Sequence, residues 1–479
     1  MVVARKIAYN VIVSATGKIL STILALVGIG LITRYLGREG FGNYATAIAF
    51  FSLFGSLADL GIYTVATREI SRPQAKESQI MGKVFSLRIC TSLIVFILGS
   101  AATFLLPYPP EVKSAILISA AAFVFASSYM VLNGIFQKNL SMDKVAISEL
   151  SGKIVNVAII YAAVQLRLGF MAIMSSLLFS MIVNFILVFL WSRKYLKFRI
   201  SVDWDYWKSF LKESLPVGIS FIVTFVYFKM DTILLSLMKS SADVGIYNAA
   251  YKVIENLSFF PGMIIGLILP IMSHSVFSDK AKFTDISNKV LKFFLILVVP
   301  LLVGTLFLAD SIMQVIGGSE FKESGDVLRI LIFALAFIFF GNITNTMLIV
   351  GNLQKKLMYA LSLCAIFNVG SNLLVIPRYS YMGTAVTSAI TEFFVVVLTT
   401  YLIIKYIKYK PRVDHFWKVL LSGAVMAIFL FFARELSFFI LLLASAAIYL
   451  FTLWLVRGVT NEEIKGIIKR EKGGSLGIT

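Results

Sequence analysis

The stretch RYLGREGFGNYATAIAFFSLFGSLADLGIYTVATRE, residues 34–69, decides the fold that the sequence predicts. It begins with a basic, glycine-rich turn, continues as an apolar run over residues 41–63 and ends in a charged exit. A helix needs ~20 mostly apolar residues to cross the hydrocarbon core of a bilayer. The apolar run is long enough, so the stretch predicts a membrane-spanning helix that follows a glycine-rich turn.

Parts of the chain recur in the same order. The Gly-x-Tyr pattern of residues 42–44 returns at residues 245–247, which is 203 positions later, and each copy lies between two long apolar runs. The pattern QKNL at residues 137–140 is echoed by QKKL at residues 354–357, which is 217 positions later. These offsets predict one unit of six helices that is used twice.

The composition is that of a membrane protein. Of the 479 residues, 59% are hydrophobic and 14% are charged, and the mean hydropathy is +0.89. Soluble domains are less apolar and carry about 25% charged residues. We predict an all-α, polytopic fold with fourteen spanning segments, at residues 9–31, 41–63, 82–106, 112–136, 145–166, 168–191, 213–238, 243–272, 287–309, 326–350, 356–376, 382–406, 416–432 and 436–456.

The segments divide the chain into four predicted parts. Two pseudo-symmetric six-helix bundles are expected at residues 1–198 and 213–410, and two appended helices with a cytoplasmic tail at 411–479. Between the bundles, residues 199–212 read RISVDWDYWKSFLK, in which aromatic residues are mixed with charges. That mixture predicts an interfacial linker helix. Because each unit has six helices, both enter the membrane from the same side, as parallel repeats around a cleft.

The net charge of +19 predicts the orientation. If the N-terminus is cytoplasmic, 30 of the 44 Lys and Arg residues fall on the inner side and 9 on the outer side. Cytoplasmic loops carry such an excess of bases. The bases therefore indicate cytoplasmic loops and no nucleic-acid partner, and we expect a multi-pass protein of the cell membrane with both termini in the cytoplasm.

Charged residues inside the apolar segments are the candidate binding residues. A charge at the bilayer centre costs ~2.5–3.5 kcal/mol on insertion scales, so each one suggests a function. Buried cations suit a phosphate or diphosphate group, which lysine binds as a point charge and arginine as a fork. The predicted substrate-binding residues are Lys18, Arg88, Lys153 and Lys252, with the amides Asn368 and Asn372.

Three acidic residues of the second bundle could couple transport to an ion. Asp231, Glu255 and Glu392 could bind and release a proton or a sodium ion. An alternative stays open, because Lys252 with Glu255 and Lys229 with Asp231 could equally be ion pairs that join helices. Interhelical hydrogen bonding would likewise explain the amides.

The sequence contains no recognisable catalytic site. It has two cysteines and two histidines, which are scattered, and it lacks the phosphate-binding loop, the serine-hydrolase elbow and the HExxH zinc motif. The outer loops are too short for the paired carboxylates that a glycosyltransferase would need there. We therefore expect no enzyme activity, no metal site and no cofactor other than a coupling proton or sodium ion.

The glycine-rich motifs resemble the opening of polysaccharide transport proteins, which are oligosaccharide flippases of the multidrug/oligosaccharidyl-lipid/polysaccharide (MOP) exporter superfamily. The resemblance extends over nearly the whole chain, and its motifs identify the family better than the cargo. The matching motif residues are Arg34, Gly37, Gly42, Tyr44, Asp59, Gly245 and Tyr247.

The resemblance implies a flippase that moves a polyprenyl or dolichyl (di)phosphate sugar from the inner to the outer leaflet by alternating access. The expected partners are this lipid-linked oligosaccharide, membrane lipids and a glycan polymerase or transferase, and a monomer is expected. Two alternatives remain open: a cation-coupled multidrug exporter of the same fold, and a non-transporting membrane subunit of a polysaccharide synthase complex. The second would have a dry bundle interface with every buried charge paired.

Overall fold

The regular secondary structure in the described part of the chain is helical. The computed structural model describes residues 2–459, apart from the side chains of residues 2–12, 14, 15, 220, 221, 224, 227, 267 and 270. The predicted tail from residue 460 onward lies outside the described residues. The helices are α1 Val2–Asp59, α2 Ile62–Ile70, α3 Glu77–Phe104, α4 Pro110–Lys138, α5 Met142–Gln165, α6 Phe170–Tyr195, α7 Trp204–Met238, α8 Ser241–Leu257, α9 Phe259–Ser278, α10 Lys280–Gly317, α11 Glu323–Val350, α12 Gln354–Leu402, α13 Phe416–Phe432 and α14 Phe438–Leu455.

The predicted fold class is confirmed, because all fourteen predicted segments coincide with helices of the described residues. Nine of these helices are long and apolar enough to cross a membrane, or ten if the bent pair within residues 241–278 counts as one span. The count is lower than fourteen partly because α1 and α12 each contain two predicted segments.

The two long helices are each interrupted at one residue. In α1, Gly37 has φ 66° and divides the helix into a first arm, residues 2–36, and a second arm, residues 38–59. Only glycine adopts such a φ readily. In α12, Ser380 has φ 48°. There the chain folds back on itself, because Phe367 before the break and Phe394 after it have ring centroids 4.9 Å apart.

The prediction of a linker helix over residues 199–212 is wrong for its first five residues. Residues 199–203 are not helical, and α7 begins at Trp204 and continues without interruption through the seventh predicted segment. The reason is local. Asp203 caps the helix by accepting a hydrogen bond from the backbone N–H of Tyr206 at 3.0 Å, and a hydrogen bond from Lys83 holds the pKa of Asp203 below its usual value. A capped N-terminus separates helix from extended chain at this point.

The two appended helices pack on the second bundle. They share an apolar cluster with α10, in which Val299 and Leu308 of α10 meet Met426 of α13 and Leu453 of α14. The hydroxyl of Tyr449 donates to the backbone carbonyl of Ile296 at 2.9 Å.

The repeated Gly-x-Tyr motif lies where the two bundles cross. A Cβ built on Gly42 would be 1.7 Å from the carbonyl oxygen of Ser241, and one built on Gly245 would be 2.1 Å from that of Arg38. The backbones of α1 and α8 can approach this closely only because both positions lack a side chain. We call the end of the bundles at which α3 and α7 begin the basic end, and the end with this crossing the opposite end.

A second close approach joins the bundles towards the basic end. A Cβ on Gly218 of α7 would lie 2.5 Å from Cα of Leu60, and a Cβ on Gly61 would lie 2.5 Å from the carbonyl oxygen of Ser214. Arg68 also forms an ion pair with Glu213 at 2.5 Å. Contacts between the bundles therefore exist on both sides of the space that lies between them.

The crossing at Gly42 should tolerate no added methyl group. We expect Gly42→Ala to force α1 away from α8 and to destabilise the protein by about 1–3 kcal/mol, the usual cost of overpacking. Thermal unfolding of the purified protein in detergent measures the effect. Gly370→Ala is the matched control, since its Cβ would meet no atom within 4 Å. Equal melting temperatures for the two variants would show that the crossing at Gly42 has room for a methyl group.

Candidate functional site

A cavity of about 690 Å³ lies between the bundles. Its walls come from both arms of α1, from α4, α5 and α6, and from the end of α8 with the start of α9. The volume is within the range of pockets that take drug-sized ligands. The charged residues of its lining are Lys18, Glu149, Lys153, Lys252 and Glu255.

Lys153 is the cation best placed to bind a ligand in this cavity. Within the described part of the chain it forms no ion pair, although Lys18, Lys252 and Glu255 are close enough to interact with it electrostatically. The Nζ atom of Lys18 lies 4.8 Å from the ring centroid of Phe259. An ammonium group without a carboxylate partner is available to an anion that enters the cavity.

Lys252 is held in a group of three charges on α7 and α8. Glu255 bridges two lysines, because one carboxylate oxygen pairs with Lys252 at 2.6 Å and the other pairs with Lys229. The ring of Tyr251 lies under Lys229 at 5.1 Å. Lys252 and Glu255 therefore form an ion pair, as one of the alternatives from the sequence predicted. The group of two lysines and one glutamate carries one net positive charge.

Arg88 lies outside the cavity, in contrast to the site proposed from the sequence. Its side chain is 1% exposed and pairs with Asp59 at 3.2 Å. It also donates to the backbone carbonyls of Ala58 at 2.7 Å and Ser127 at 3.1 Å. The guanidinium donates its hydrogen bonds to α1 and α4 and so joins these helices to α3. It is therefore not available to bind the headgroup of a substrate. The motif residue Asp59 is its counterion.

Asn368 and Asn372 also lie away from the large cavity, in the second bundle. The amide of Asn372 donates to Asp231 at 2.9 Å, and the amide of Asn368 lies 3.4 Å from the hydroxyl of Thr391. Both belong to the surroundings of Asp231. The structure thus places two residues predicted to bind substrate among those predicted to couple an ion.

Asp231 is buried and surrounded by hydrogen-bond donors. Its side chain accepts from the hydroxyl of Ser388 at 2.5 Å and from that of the motif residue Tyr247 at 3.1 Å, in addition to Asn372. Ser388 and Thr391 are not among the residues that were predicted from the sequence. The available signal was the run of hydroxyl side chains that precedes Glu392 on α12.

A second, small pocket brings the three predicted ion-coupling residues together. Its volume is about 30 Å³, and its lining includes Asp231, Glu255, Glu392, Asn368 and Ser388. It has room for ~1–2 water-sized species. No three acidic, histidine or cysteine side chains of the described residues are placed to share one metal ion. Its oxygen atoms suit a proton or a small hard cation better than a transition metal.

Glu255 lines both the small pocket and the large cavity. Because its two oxygens each hold a lysine, its charge is already compensated. A change at either pocket would act on the same carboxylate. This is a relation between two regions that the sequence did not reveal, since it depends on how α7 and α8 face each other.

The remaining motif residues hold the opposite end together. Arg34 donates to the backbone carbonyl of Val315 at 2.6 Å, and its neighbour Arg38 pairs with Glu323 at 3.0 Å. Tyr44 faces the large cavity and stacks on Phe41 with centroids 5.9 Å apart. The motif thus combines closure of this end with one wall of the cavity.

Comparison with known proteins now identifies the family. Residues 7–276, more than half of the chain, match the family described as polysaccharide biosynthesis protein. The chain belongs to this family. It is 23% identical over 385 residues to the capsular polysaccharide biosynthesis protein CapF of Staphylococcus aureus, which covers 78% of this chain and 93% of CapF. It is 23% identical over 218 residues to the probable low-salt glycan biosynthesis flippase Agl15 of Haloferax volcanii, which covers 44% of this chain and 45% of Agl15.

Solved structures of the same fold are transporters. The lipid II flippase MurJ in an inward closed conformation superimposes with a TM-score of 0.77 over 96% of this chain and 100% of MurJ, at 15% identity. An inward-facing multidrug resistance transporter of the MATE family, within the MOP superfamily, gives 0.68 over 83% of this chain and 98% of that protein, at 14% identity. The predicted resemblance to polysaccharide transport proteins is confirmed by the family match, and the fold is shared with transporters of the MOP superfamily.

The pair of Arg88 and Asp59 should stabilise the fold. Removing one partner of a buried ion pair leaves an unpaired charge and typically costs about 3–5 kcal/mol. We therefore expect Arg88→Met and Asp59→Asn each to lower the melting temperature strongly, and the double variant to recover part of the loss. Lys289→Met is the control, because Lys289 pairs with Asp285 on the exposed surface, where a pair contributes little. An Arg88→Met variant that melts like the wild type would show that the pair is dispensable.

Proposed function

We propose that this protein is a flippase that moves a lipid-linked oligosaccharide from the inner to the outer leaflet by alternating access. The observation that carries the proposal is the cavity of about 690 Å³ between the bundles, into which the unpaired Lys153 faces. Such a space would take a polar headgroup, while the lipid tail stays in the surrounding bilayer.

The charge of the cavity favours an anionic headgroup. Three lysines and two glutamates line it, and Glu255 is already compensated by Lys252 and Lys229. Glu149 lies close enough to Lys18 for their charges to interact. The remaining positive charge at Lys153 suits the phosphate or diphosphate of a polyprenyl or dolichyl carrier, because a lysine binds such a group as a point charge.

The names of the relatives agree with this cargo class. CapF is described as a capsular polysaccharide biosynthesis protein and Agl15 as a probable glycan biosynthesis flippase. Carried over to this chain, both descriptions support a role in the assembly of a glycan. A transferase would then supply the lipid-linked sugar, and a polymerase or transferase on the far side of the membrane would consume it. No catalytic step is proposed for the chain itself.

The contacts between the bundles suggest how access would alternate. Arg38 with Glu323 and the crossing at Gly42 close the opposite end, and they would have to separate for release on that side. Arg68 with Glu213 joins the bundles at the basic end. We place the basic end and both termini in the cytoplasm, since loops rich in Lys and Arg stay on that side, and we expect a monomer in the cell membrane.

The two rival functions fit the cavity less well. A multidrug exporter with cationic cargo would be expected to have a cavity in which acidic residues outnumber basic ones, whereas three lysines and two glutamates line this cavity. A non-transporting synthase subunit would be expected to have a dry interface between its bundles, which does not match a cavity of about 690 Å³.

Removing the charge of Lys153 should block flipping. We expect Lys153→Met to reduce transport by at least ~tenfold, because a hydrogen bond to a charged group contributes roughly 1.5–3 kcal/mol. Lys153→Arg, which keeps the charge, should retain most of the activity. The measurement is leaflet-resolved flipping of a labelled polyprenyl diphosphate sugar in vesicles, together with mass spectrometry of the lipid retained on the purified protein.

The control for this experiment is Lys289→Met, which removes an exposed lysine far along the chain on α10. A Lys153→Met protein that flips and retains the lipid as well as this control would refute the assigned role of Lys153. Retention of small organic cations in place of a polyprenyl lipid would favour the exporter.

We further propose that a proton or a sodium ion at the small pocket drives the cycle. Asp231 would be its principal carboxylate, and Glu392 and the amides and hydroxyls around Asp231 would complete the pocket. Glu255 would transmit occupancy to the cavity, because it lines both spaces and holds Lys252. A phosphate that attracts Lys252 would weaken its pair with Glu255 and so alter the small pocket.

Loss of the Asp231 charge should uncouple transport from the ion. We expect Asp231→Asn to remove the dependence of flipping on a pH or sodium gradient, while lipid retention persists. Glu392→Gln should weaken that dependence. Glu255→Gln should still bind both the ion and the lipid, but the binding of one should no longer affect the binding of the other. Asp285→Asn, an exposed carboxylate, is the control. A gradient dependence that survives in Asp231→Asn would rule out this site.

A further inference from the structure

The chain between the bundles is bound tightly to α3. The backbone N–H of Ser201 donates to the carbonyl of Gly82 at 3.4 Å, and the hydroxyl of Ser86 donates to the carbonyl of Ser201 at 2.5 Å. Lys83 pairs with Asp203 at 2.6 Å. These bonds fix residues 196–203 as an extended segment across the start of α3, so the side chains that point away from α3 have defined positions.

An apolar ridge projects from this segment. Ile200, Val202 and Trp204 are 62%, 60% and 75% exposed. By contrast, Trp207 is 4% exposed, and its indole N–H donates to the backbone carbonyl of Lys83 at 2.9 Å. The exposure of Trp204 therefore does not come from a loosely held segment, since the neighbouring tryptophan is firmly bound.

Basic residues surround the ridge. Trp204, Lys208 and Lys212 recur at intervals of four on α7 and so share one face of the helix, while Trp207 and Phe210 are buried on the other. Six exposed bases lie near the ridge, and none of them forms an ion pair with a described residue. They are Arg193, Lys194, Lys197, Arg199, Lys208 and Lys212. The nearby acids Asp203 and Glu213 are instead paired with Lys83 and Arg68.

We propose that this linker surface, the ridge and its six bases, binds the headgroups of anionic phospholipids. An apolar ridge with aromatic residues beside a basic face is the pattern of elements that lie in the membrane interface. Four to eight bases next to the end of a membrane helix are typical of binding to anionic lipid. The only unpaired acid between Arg193 and Lys212 among the described residues is Asp205, so the surface repels cations and offers little to a neutral lipid.

The position of the surface would let a bound lipid contact both bundles. Its extended part is bonded to α3 of the first bundle, and its helical part continues as α7 of the second. An anionic headgroup held by Lys197 and Lys208 would therefore join elements that must move relative to each other in transport. The proposal concerns lipid binding alone and does not depend on the cargo of the cavity.

The full-length protein is tested with vesicles of phosphatidylcholine alone and of phosphatidylcholine mixed equally with phosphatidylglycerol. Fluorescence quenching by lipids brominated on the acyl chain reports whether Trp204 enters the interface, and Trp204→Phe isolates its share from the four other tryptophans. Native mass spectrometry measures bound phosphatidylglycerol. The charge variant combines Lys197→Gln, Arg199→Gln, Lys208→Gln and Lys212→Gln.

The matched control removes four exposed bases from other parts of the basic end. It combines Lys280→Gln, Lys282→Gln, Lys408→Gln and Lys410→Gln. We expect the charge variant to bind phosphatidylglycerol at least ~tenfold more weakly than wild type and the control to change less than ~twofold. Quenching should be stronger in the mixed vesicles and should fall in Trp204→Phe.

Equal losses in the two quadruple variants would overturn the proposal, because they would show only a general attraction of bases to an anionic surface. Quenching that is the same with and without Trp204 would also overturn it, since the ridge would then lie outside the interface. Thermal unfolding of every variant checks that the fold is kept. Unchanged lipid binding in a folded charge variant would leave the surface to an acidic protein partner.

Discussion

A charged side chain inside a membrane must either be paired or face water, because hydrocarbon offers no other compensation for its charge. The interior of this protein follows that constraint. Arg88 is paired with Asp59, and Lys229 and Lys252 share Glu255. Lys153, for which no ion pair exists among the described residues, borders the large cavity. The cavity is thus what allows an ammonium group without an ion pair inside the protein.

The close approach of the bundles depends on glycine. Gly42 and Gly245 let α1 and α8 touch at the opposite end, and Gly61 and Gly218 do the same towards the basic end. Between these crossings the helices diverge enough to leave the cavity. A repeat that looks like a family signature in the sequence is therefore a packing device, which is why it identifies the fold and says little about the cargo.

Two spaces of different size share the carboxylate Glu255, and this organises the candidate site. The large cavity is lined mostly by the first bundle, while the small pocket lies within the second around Asp231. Glu255 belongs to both and holds Lys252 on one side and Lys229 on the other. Binding in either space would therefore act on a common set of charges. A coupling of this kind needs no large movement to begin, because ion pairs in a low-dielectric interior respond to any nearby charge.

The sequence by itself determined the fourteen helical segments, the two-fold repeat and the orientation bias, because apolar length, offset and basic loops are properties of the chain that need no partner. Only the tertiary structure decided which way each charge faces and what it meets. Arg88 and Lys153 both lie inside helices, yet the rotation and packing of α3 turn one towards Asp59, while those of α5 turn the other into the cavity. The same reason explains why Asn372 belongs with Asp231: the first arm of α12 packs on α7, and the fold of α12 back on itself at Ser380 brings Ser388 to the same carboxylate.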